Sequence, residues 1–209
     1  MNGKTIEEIT VPVGEMRIRM IAPQDEEDSS SRITFWWGIT SAAVALARHI
    51  ECHSEGFSGK RVIELGCGLG LAGITAGLVG ANVLFTDYVP RALEFVDRNA
   101  RLNGLGNGAF RTALLDWENP DIFQKFDVVF GSEIVYDYFF HGSLIRLLRQ
   151  ILKPDGTLLI ADRKRLCVSR FMGRMIAAGF SCREVIDRVV LSGFPDQEIS
   201  IFRLRMAPL

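Results

Sequence analysis

The chain begins with apolar and polar residues alternating on both sides of Val13-Gly14, in "TIEEITVPVGEMRIRMIAP". Ile6, Ile9 and Val11 fall on one arm and Met16, Ile18 and Met20 on the other, the period-2 pattern of a β-hairpin. The polar, acidic stretch "PQDEEDSSS" follows and reads as a loop. In "FWWGITSAAVALARHI", Thr40 or Ser41 offers an N-cap for an alanine-rich helix ending near His49.

From Lys60 the pattern becomes a regular alternation of strand and helix. "RVIEL" predicts a buried strand, followed by a glycine-rich turn and the small-residue helix "LAGITAGLVG". "NVLFTD" predicts a second strand, and "PRALEFVDRNARLNG" a helix with Pro90 at its start and Asn103-Gly104 at its end. "FRTALLD" and "FDVVFGSEI" give a third and fourth strand, "FHGSLIRLLRQIL" a helix, and "KPDG" a turn into a fifth strand, "TLLIADR". A helix over "SRFMGRMIAAG" and two last strands, "CREVIDRVV" and "EISIFRLRM", complete the order. The strands before Asp155 lack period-2 alternation, as expected of a parallel sheet covered on both faces. The last two alternate, as expected of an antiparallel pair closing one edge. The expected fold is therefore α/β: a Rossmann-like seven-stranded, mostly parallel sheet with an antiparallel C-terminal edge and helices on both faces. The hairpin and acidic loop (1–34) precede a single domain spanning 35–209.

The chain of 209 residues, 48% hydrophobic and 23% charged, has the composition of a globular domain. Its four cysteines lack framework spacing, which suits free thiols in a reducing cytosol. The first residues carry no basic and apolar signal pattern, and no apolar run reaches the ~18 residues of a membrane span. A net charge of -1 gives no reason to expect a nucleic-acid surface. The expectation is a cytoplasmic protein without membrane or nucleic-acid partners.

The chemistry centres on "VIELGCGLGLAG", four glycines in twelve positions after a strand. From Gly66 it is G-x-G-x-G; from Gly68 it is G-x-G-x-x-G, the dinucleotide fingerprint. Such a turn brings bare backbone amides and a helix N-terminus against a ligand. Asp87 ends the second strand about 20 residues on, where an acid accepts a ribose's hydroxyls. Glu64 lies inside an apolar strand, a costly placement unless it meets a polar or cationic ligand or donated backbone N–H groups. Asp116 and Trp117 end the third strand, an acceptor and a flat face suited to an adenine. All converge on the carboxyl edge of a parallel sheet, where such folds bind ligands. The Gly68 register starts two residues too late for the first turn after the strand, and the Gly66 register has Leu71 where a dinucleotide fold needs its third glycine. One sheet also leaves no second domain for a hydride acceptor, so an NAD(P)-binding oxidoreductase is the remote alternative.

"VIELGCGLGLAGI", "TDY", "RNARLNG", "LLDW" and "FDVVFGSEIVYD" stand in the order found in seven-strand protein-lysine methyltransferases, methyltransferase family 16, with nicotinamide N-methyltransferase-like relatives. The chain resembles that family over about Phe35 to Met206. The resemblance implies S-adenosylmethionine as cofactor, S-adenosylhomocysteine as product, and no metal. It implies that Gly66 and Gly68, with Cys67 in the same loop, contact the cofactor's methionine part and Glu64 its amino end. Asp87 would bind the ribose, Tyr88 would lie near the adenosine, Asp116 and Trp117 beside the adenine, and Ser132 near the sulfonium. Members carry a tryptophan before the first helix; here Thr40 holds that place and the "FWW" aromatics come about three residues early, which makes Trp37 the candidate.

Methyl transfer to an amine is an in-line displacement in which positioning dominates. A carboxylate beside the acceptor nitrogen holds the ammonium and stabilises the charge developing there. Glu133 at the end of the fourth strand, with Tyr136 three residues on, resembles the family's acidic-x-x-aromatic pair, whose aromatic shapes a channel for an aliphatic amine. A helix N-terminal acid with a packed tyrosine is the plain structural alternative. Asp137 is a second acid in the same turn, and His141 reads as a solvated first-turn histidine. His49-x-x-Cys52-His53 lacks a fourth metal ligand. The expected activity is protein-lysine N-methylation, with a small amine or heterocycle of nicotinamide type as the alternative acceptor. The short hairpin and acidic loop make a poor lid, which favours a macromolecular substrate. A non-catalytic binding module is disfavoured by the intact Glu133 and Tyr136.

Overall fold

The computed structural model describes residues 6–23, 36–189 and 197–207. The acidic loop, Phe35 and the boundary at 34–35 lie outside the described residues. The hairpin forms as expected: β1 (Ile6–Val13) pairs antiparallel with β2 (Met16–Pro23), Val13 opposite Met16. Gly14 opens the two-residue turn at φ +55, in the left-handed region that a tight hairpin turn requires. Val11, Val13, Ile18 and Met20 are buried, so the inward face is the one the alternation marks.

Helix α1 (Ser41–Cys52) starts at Thr40, whose Oγ1 accepts from the Ala43 N–H at 3.1 Å. It runs past His49 by one turn. Then come β3 (Arg61–Leu65), α2 (Leu71–Leu78), β4 (Asn82–Asp87), α3 (Pro90–Leu102), β5 (Phe110–Leu114) and β6 (Phe126–Ser132). Helix α4 (His141–Ile151), β7 (Leu152–Arg163), α5 (Leu166–Ala177), β8 (Phe180–Val189) and β9 (Gln197–Met206) complete the chain. The seven-stranded sheet has the order β5-β4-β3-β6-β7-β9-β8. Neighbours from β5 to β7 are parallel, and β9 runs antiparallel between β7 and β8. Winding reverses at β3, whose carboxyl end is the switch point where a crevice opens.

Two apolar layers sandwich the sheet. Helices α1, α2 and α3 with the hairpin cover one face through Leu46, Ile74 and Phe95, and α4 and α5 cover the other through Leu144, Leu148 and Phe171. Edge strand β5 departs from the expectation of two covered faces, because Arg111, Thr112 and Leu114 are exposed. "KPDG" does not precede the fifth strand but lies within β7 as a break in its ladder. Phe126 pairs with Leu152 and Val128 with Thr157, leaving the residues between them out of register.

The hairpin's free edge is held by a helix rather than a strand. Asn99 on α3 and Asn103 at its C-cap stand one turn apart and face alternate residues of β2. The Asn99 Oδ1 accepts from the Ile21 N–H at 2.7 Å while its Nδ2 donates to the Ile21 carbonyl at 3.2 Å. Asn103 does the same with Arg19, at 2.9 and 2.6 Å. Two side-chain amides thus supply the donor–acceptor pairs that a neighbouring strand would.

Candidate functional site

The glycine loop leaves β3 at the switch point. Gly66, Gly68 and Gly70 have φ of 60, 50 and 85, so three left-handed residues turn the chain into α2. The Cys67 N–H donates to the Thr86 carbonyl at 2.9 Å, and the Gly68 N–H donates to Asp87 Oδ2 at 2.9 Å. A Cβ on Gly68 would lie 2.7 Å from the Trp36 carbonyl oxygen, so the segment before α1 crosses directly over the loop. A Cβ on Gly66 would meet Ile134 at 3.1 Å and the Trp117 ring at 3.7 Å. The first glycine is therefore the meeting point of the loops after β3, β5 and β6. Trp117 also packs edge-on against Phe140, with centroids 6.2 Å apart.

Glu64 is 3% exposed, and its Oε2 accepts the Gly73 N–H at 3.0 Å. Burial pushes its carboxyl up to about 8, only partly opposed by that donor; the Asp87 charge adds to the rise. A Cβ on Gly73 would lie 2.2 Å from the Phe85 ring and 2.4 Å from Glu64 Oε2. Gly73 is thus a packing residue, closed off by Phe85 and Glu64. Asp87, also buried, spends Oδ1 on the Val89 N–H at 2.9 Å and Oδ2 on Gly68; burial raises its carboxyl above the usual range. Burial likewise holds the Cys67 thiol well up, which leaves it unreactive. Tyr88 is exposed, and Trp37 and Ser132 are partly buried. The Asp116 carboxylate closes its own turn, accepting from the Glu118 N–H at 2.8 Å and Asn119 Nδ2 at 3.2 Å.

Glu133 follows β6 immediately at φ +54, the non-glycine residue with positive φ among those described. A glutamate there costs on the order of 1–3 kcal/mol and persists only where its surroundings hold it. Its N–H donates to the Ala161 carbonyl at 2.8 Å, and its Oε1 lies 2.9 Å from Arg163 Nε. Tyr136 is half-exposed in the same loop, its hydroxyl raised by burial and then by the Asp137 and Asp87 charges. Asp137 caps the short 3-10 turn at Tyr138–Phe140, accepting from the Phe139 N–H at 2.9 Å.

His141 departs from expectation. It is 1% exposed, packs against Phe171, and its Nε2 lies 2.9 Å from the Val135 carbonyl. Its place with Leu144, Leu148 and Ile151 on the apolar stripe of α4 was available from the spacing. His49 and His53 stack with centroids 4.2 Å apart, and no group of three metal-ligating side chains occurs among the described residues. Sequence reasoning passed over "ADRKR" at the end of β7. Its signal was three successive cations after an apolar strand, at the same sheet edge as Glu133. Asp162, fully buried, ion-pairs with Arg165, and burial pushes its carboxyl up to about 6.

The profile of the lysine methyltransferase family matches residues 17–177, over three-quarters of the chain. The chain belongs to that family. Among curated relatives, it is 35% identical to EEF1A lysine methyltransferase 3 of Mus musculus, over 66% of this chain and 60% of that protein. It is 38% identical to protein N-lysine methyltransferase METTL21A of Danio rerio, over 61% of this chain and 60% of that protein. The chain therefore spans about 60% of the length of these relatives. Among solved structures, a ribosomal protein L11 methylase from Lactobacillus delbrueckii subsp. bulgaricus superposes with a TM-score of 0.60 at 20% identity, covering 79% of each chain. That likeness shows the fold.

Proposed function

We propose that this chain transfers the methyl group of S-adenosylmethionine to a lysine side chain of a protein. The observation that carries the proposal is Glu133, held at positive φ on the sheet's carboxyl edge, one residue before Ile134, which packs over Gly66. The names of the relatives and the family match support the acceptor class.

The residues present fit the cofactor. Gly66 and Gly68 turn the loop in left-handed conformations with no side chain of their own, hemmed in by Ile134 and the Trp36 carbonyl, and Glu64 is a buried carboxyl short of positive charge, suited to the cofactor's amino group. Asp87, already fixed by two backbone donors, would receive the ribose hydroxyls, with Tyr88 beside the adenosine. Trp117 would flank the adenine with Asp116 close by, and Ser132, Cys67 and Trp37 would line the methionine end. When bound, the sulfonium supplies an electrophilic methyl group. Glu133 would hold the incoming ammonium and stabilise the positive charge that develops on nitrogen, and solvent takes the released proton. Tyr136 would flank the aliphatic stem of the acceptor.

The test is transfer of a labelled methyl group into proteins of a cell lysate, with the modified side chain located by mass spectrometry. Label on lysine supports the proposal; label confined to small amines overturns its acceptor class. Glu133→Gln should bind S-adenosylhomocysteine as the parent does yet lose about 100–1000-fold in transfer. Full transfer by that variant would remove Glu133 from the mechanism.

A further inference from the structure

"ADRKR" places three cations in succession at the end of β7, and each pairs with a different acid. Arg165 pairs with buried Asp162, and Lys164 pairs with Glu198 on β9 at 3.4 Å. Arg163 pairs with the candidate acceptor carboxylate itself, its Nε 2.9 Å from Glu133 Oε1. The two guanidinium pairs differ in exposure. The Asp162 side chain is fully buried with Arg165 30% exposed, whereas Glu133 is 19% and Arg163 46% exposed. A pair as open as the second is weak in isolation and readily exchanged.

We propose that Arg163 is a specificity-determining residue that occupies the acceptor ammonium's seat on Glu133 until a protein-borne lysine displaces it. The proposal rests on Glu133 being the acceptor carboxylate. A guanidinium tethered two residues beyond Ala161, whose carbonyl receives the Glu133 N–H at 2.8 Å, competes intramolecularly. Its effective concentration is of the order of millimolar or above, so free alkylamines at lower concentration are kept out. A lysine presented on a protein surface brings binding energy from outside the seat and overcomes the same competitor. Discrimination then comes from the occupied carboxylate, not from the shape of a closed pocket. Asp162 cannot substitute for Glu133 in this role, because its own carboxylate is fully buried beneath Arg165.

The probe is n-butylammonium, the lysine side chain without its backbone, titrated by chemical-shift perturbation into the protein saturated with S-adenosylhomocysteine. The parent should bind it poorly. R163Q should bind it at least about tenfold more tightly, because a partly buried carboxylate is left without its cation. R163S, lacking the glutamine amide, should reproduce that gain, and carries the test if R163Q does not fold. A purely structural role for Arg163 predicts no such gain; unchanged or weakened binding in both variants overturns the proposal while leaving Glu133 as acceptor carboxylate. If instead the tighter binding persists in E133Q/R163Q, the ammonium sits elsewhere and the assignment of Glu133 itself fails.

Discussion

Glu64 shows how a single side chain sets a pH dependence. Its carboxyl rises from an ordinary 4.5 to about 8 on folding because burial outweighs the one N–H it receives from Gly73. The folded chain therefore keeps a proton that the unfolded chain releases. Between about pH 4.5 and 8 this group lowers stability as pH rises, by at most about 1.4 kcal/mol per pH unit. A cationic amino group seated against Glu64 reverses the preference, so ligand binding at pH 7 should expel a proton. Calorimetric heats of S-adenosylhomocysteine binding should then change with the buffer's ionisation enthalpy, and Glu64→Gln should abolish that dependence and weaken binding. Equal heats in all buffers would separate Glu64 from the ligand. The cost of this acid was legible in the sequence, since a carboxylate inside "RVIEL" stands out; the Gly73 donor depends on how α2 packs back onto β3. The Arg163–Glu133 pair was not legible. "DRKR" offers three cations, and choosing among them needs the β6–β7 register, with Ser132 beside Ala161, and the left-handed turn at Glu133.

Among the elements, the hairpin is the piece whose placement periodicity does not reveal. Alternation marks its inward face, but its attachment runs through Asn99 on the apolar stripe of α3 and Asn103 at its C-cap, and periodicity does not say what a polar side chain there would bind. Asn99 is fully buried in the stripe Ala92, Phe95, Val96, Asn99, Ala100, and it serves three partners. Besides both polar groups of Ile21, its Nδ2 reaches the Leu69 carbonyl at 3.1 Å, so one side chain ties hairpin, helix and glycine loop together. Replacing it by alanine leaves buried backbone groups unpaired, at a cost of about 2–4 kcal/mol. Asn99→Ala should unfold at lower denaturant concentration, and the Ile21 amide should exchange faster than the amides of β3. Unchanged protection at Ile21 would show that apolar contacts alone hold the hairpin. The strand–helix alternation from Lys60 was readable because continuous apolar runs and capped amphipathic helices have different periods. The edge exposure of β5 was not, since whether a strand lies inside or at the rim is a property of sheet order.

For the whole molecule, that order brings the site together. The carboxyl edge gathers Trp36 before α1, Gly66 after β3, Asp87 at the end of β4, Trp117 after β5 and Glu133 after β6, from segments nearly a hundred residues apart. A ligand spanning them binds only the folded chain and must stabilise all of it at once. At 100 times its dissociation constant, S-adenosylhomocysteine should add about 2.7 kcal/mol, which for a domain of this size raises the melting temperature by about 5–10 °C. Asp87 is the residue proposed to carry the ribose end of that linkage, yet it also receives the Gly68 and Val89 N–H groups, so deleting it would damage the empty fold as well. Asp87→Asn keeps the shape and one acceptor oxygen. Each protein is therefore compared with its own ligand-free melting temperature, and the asparagine variant should lose most of the shift. A full shift in that variant would take Asp87 out of the ligand contact, and a shift with NADH in place of S-adenosylhomocysteine would overturn the cofactor assignment.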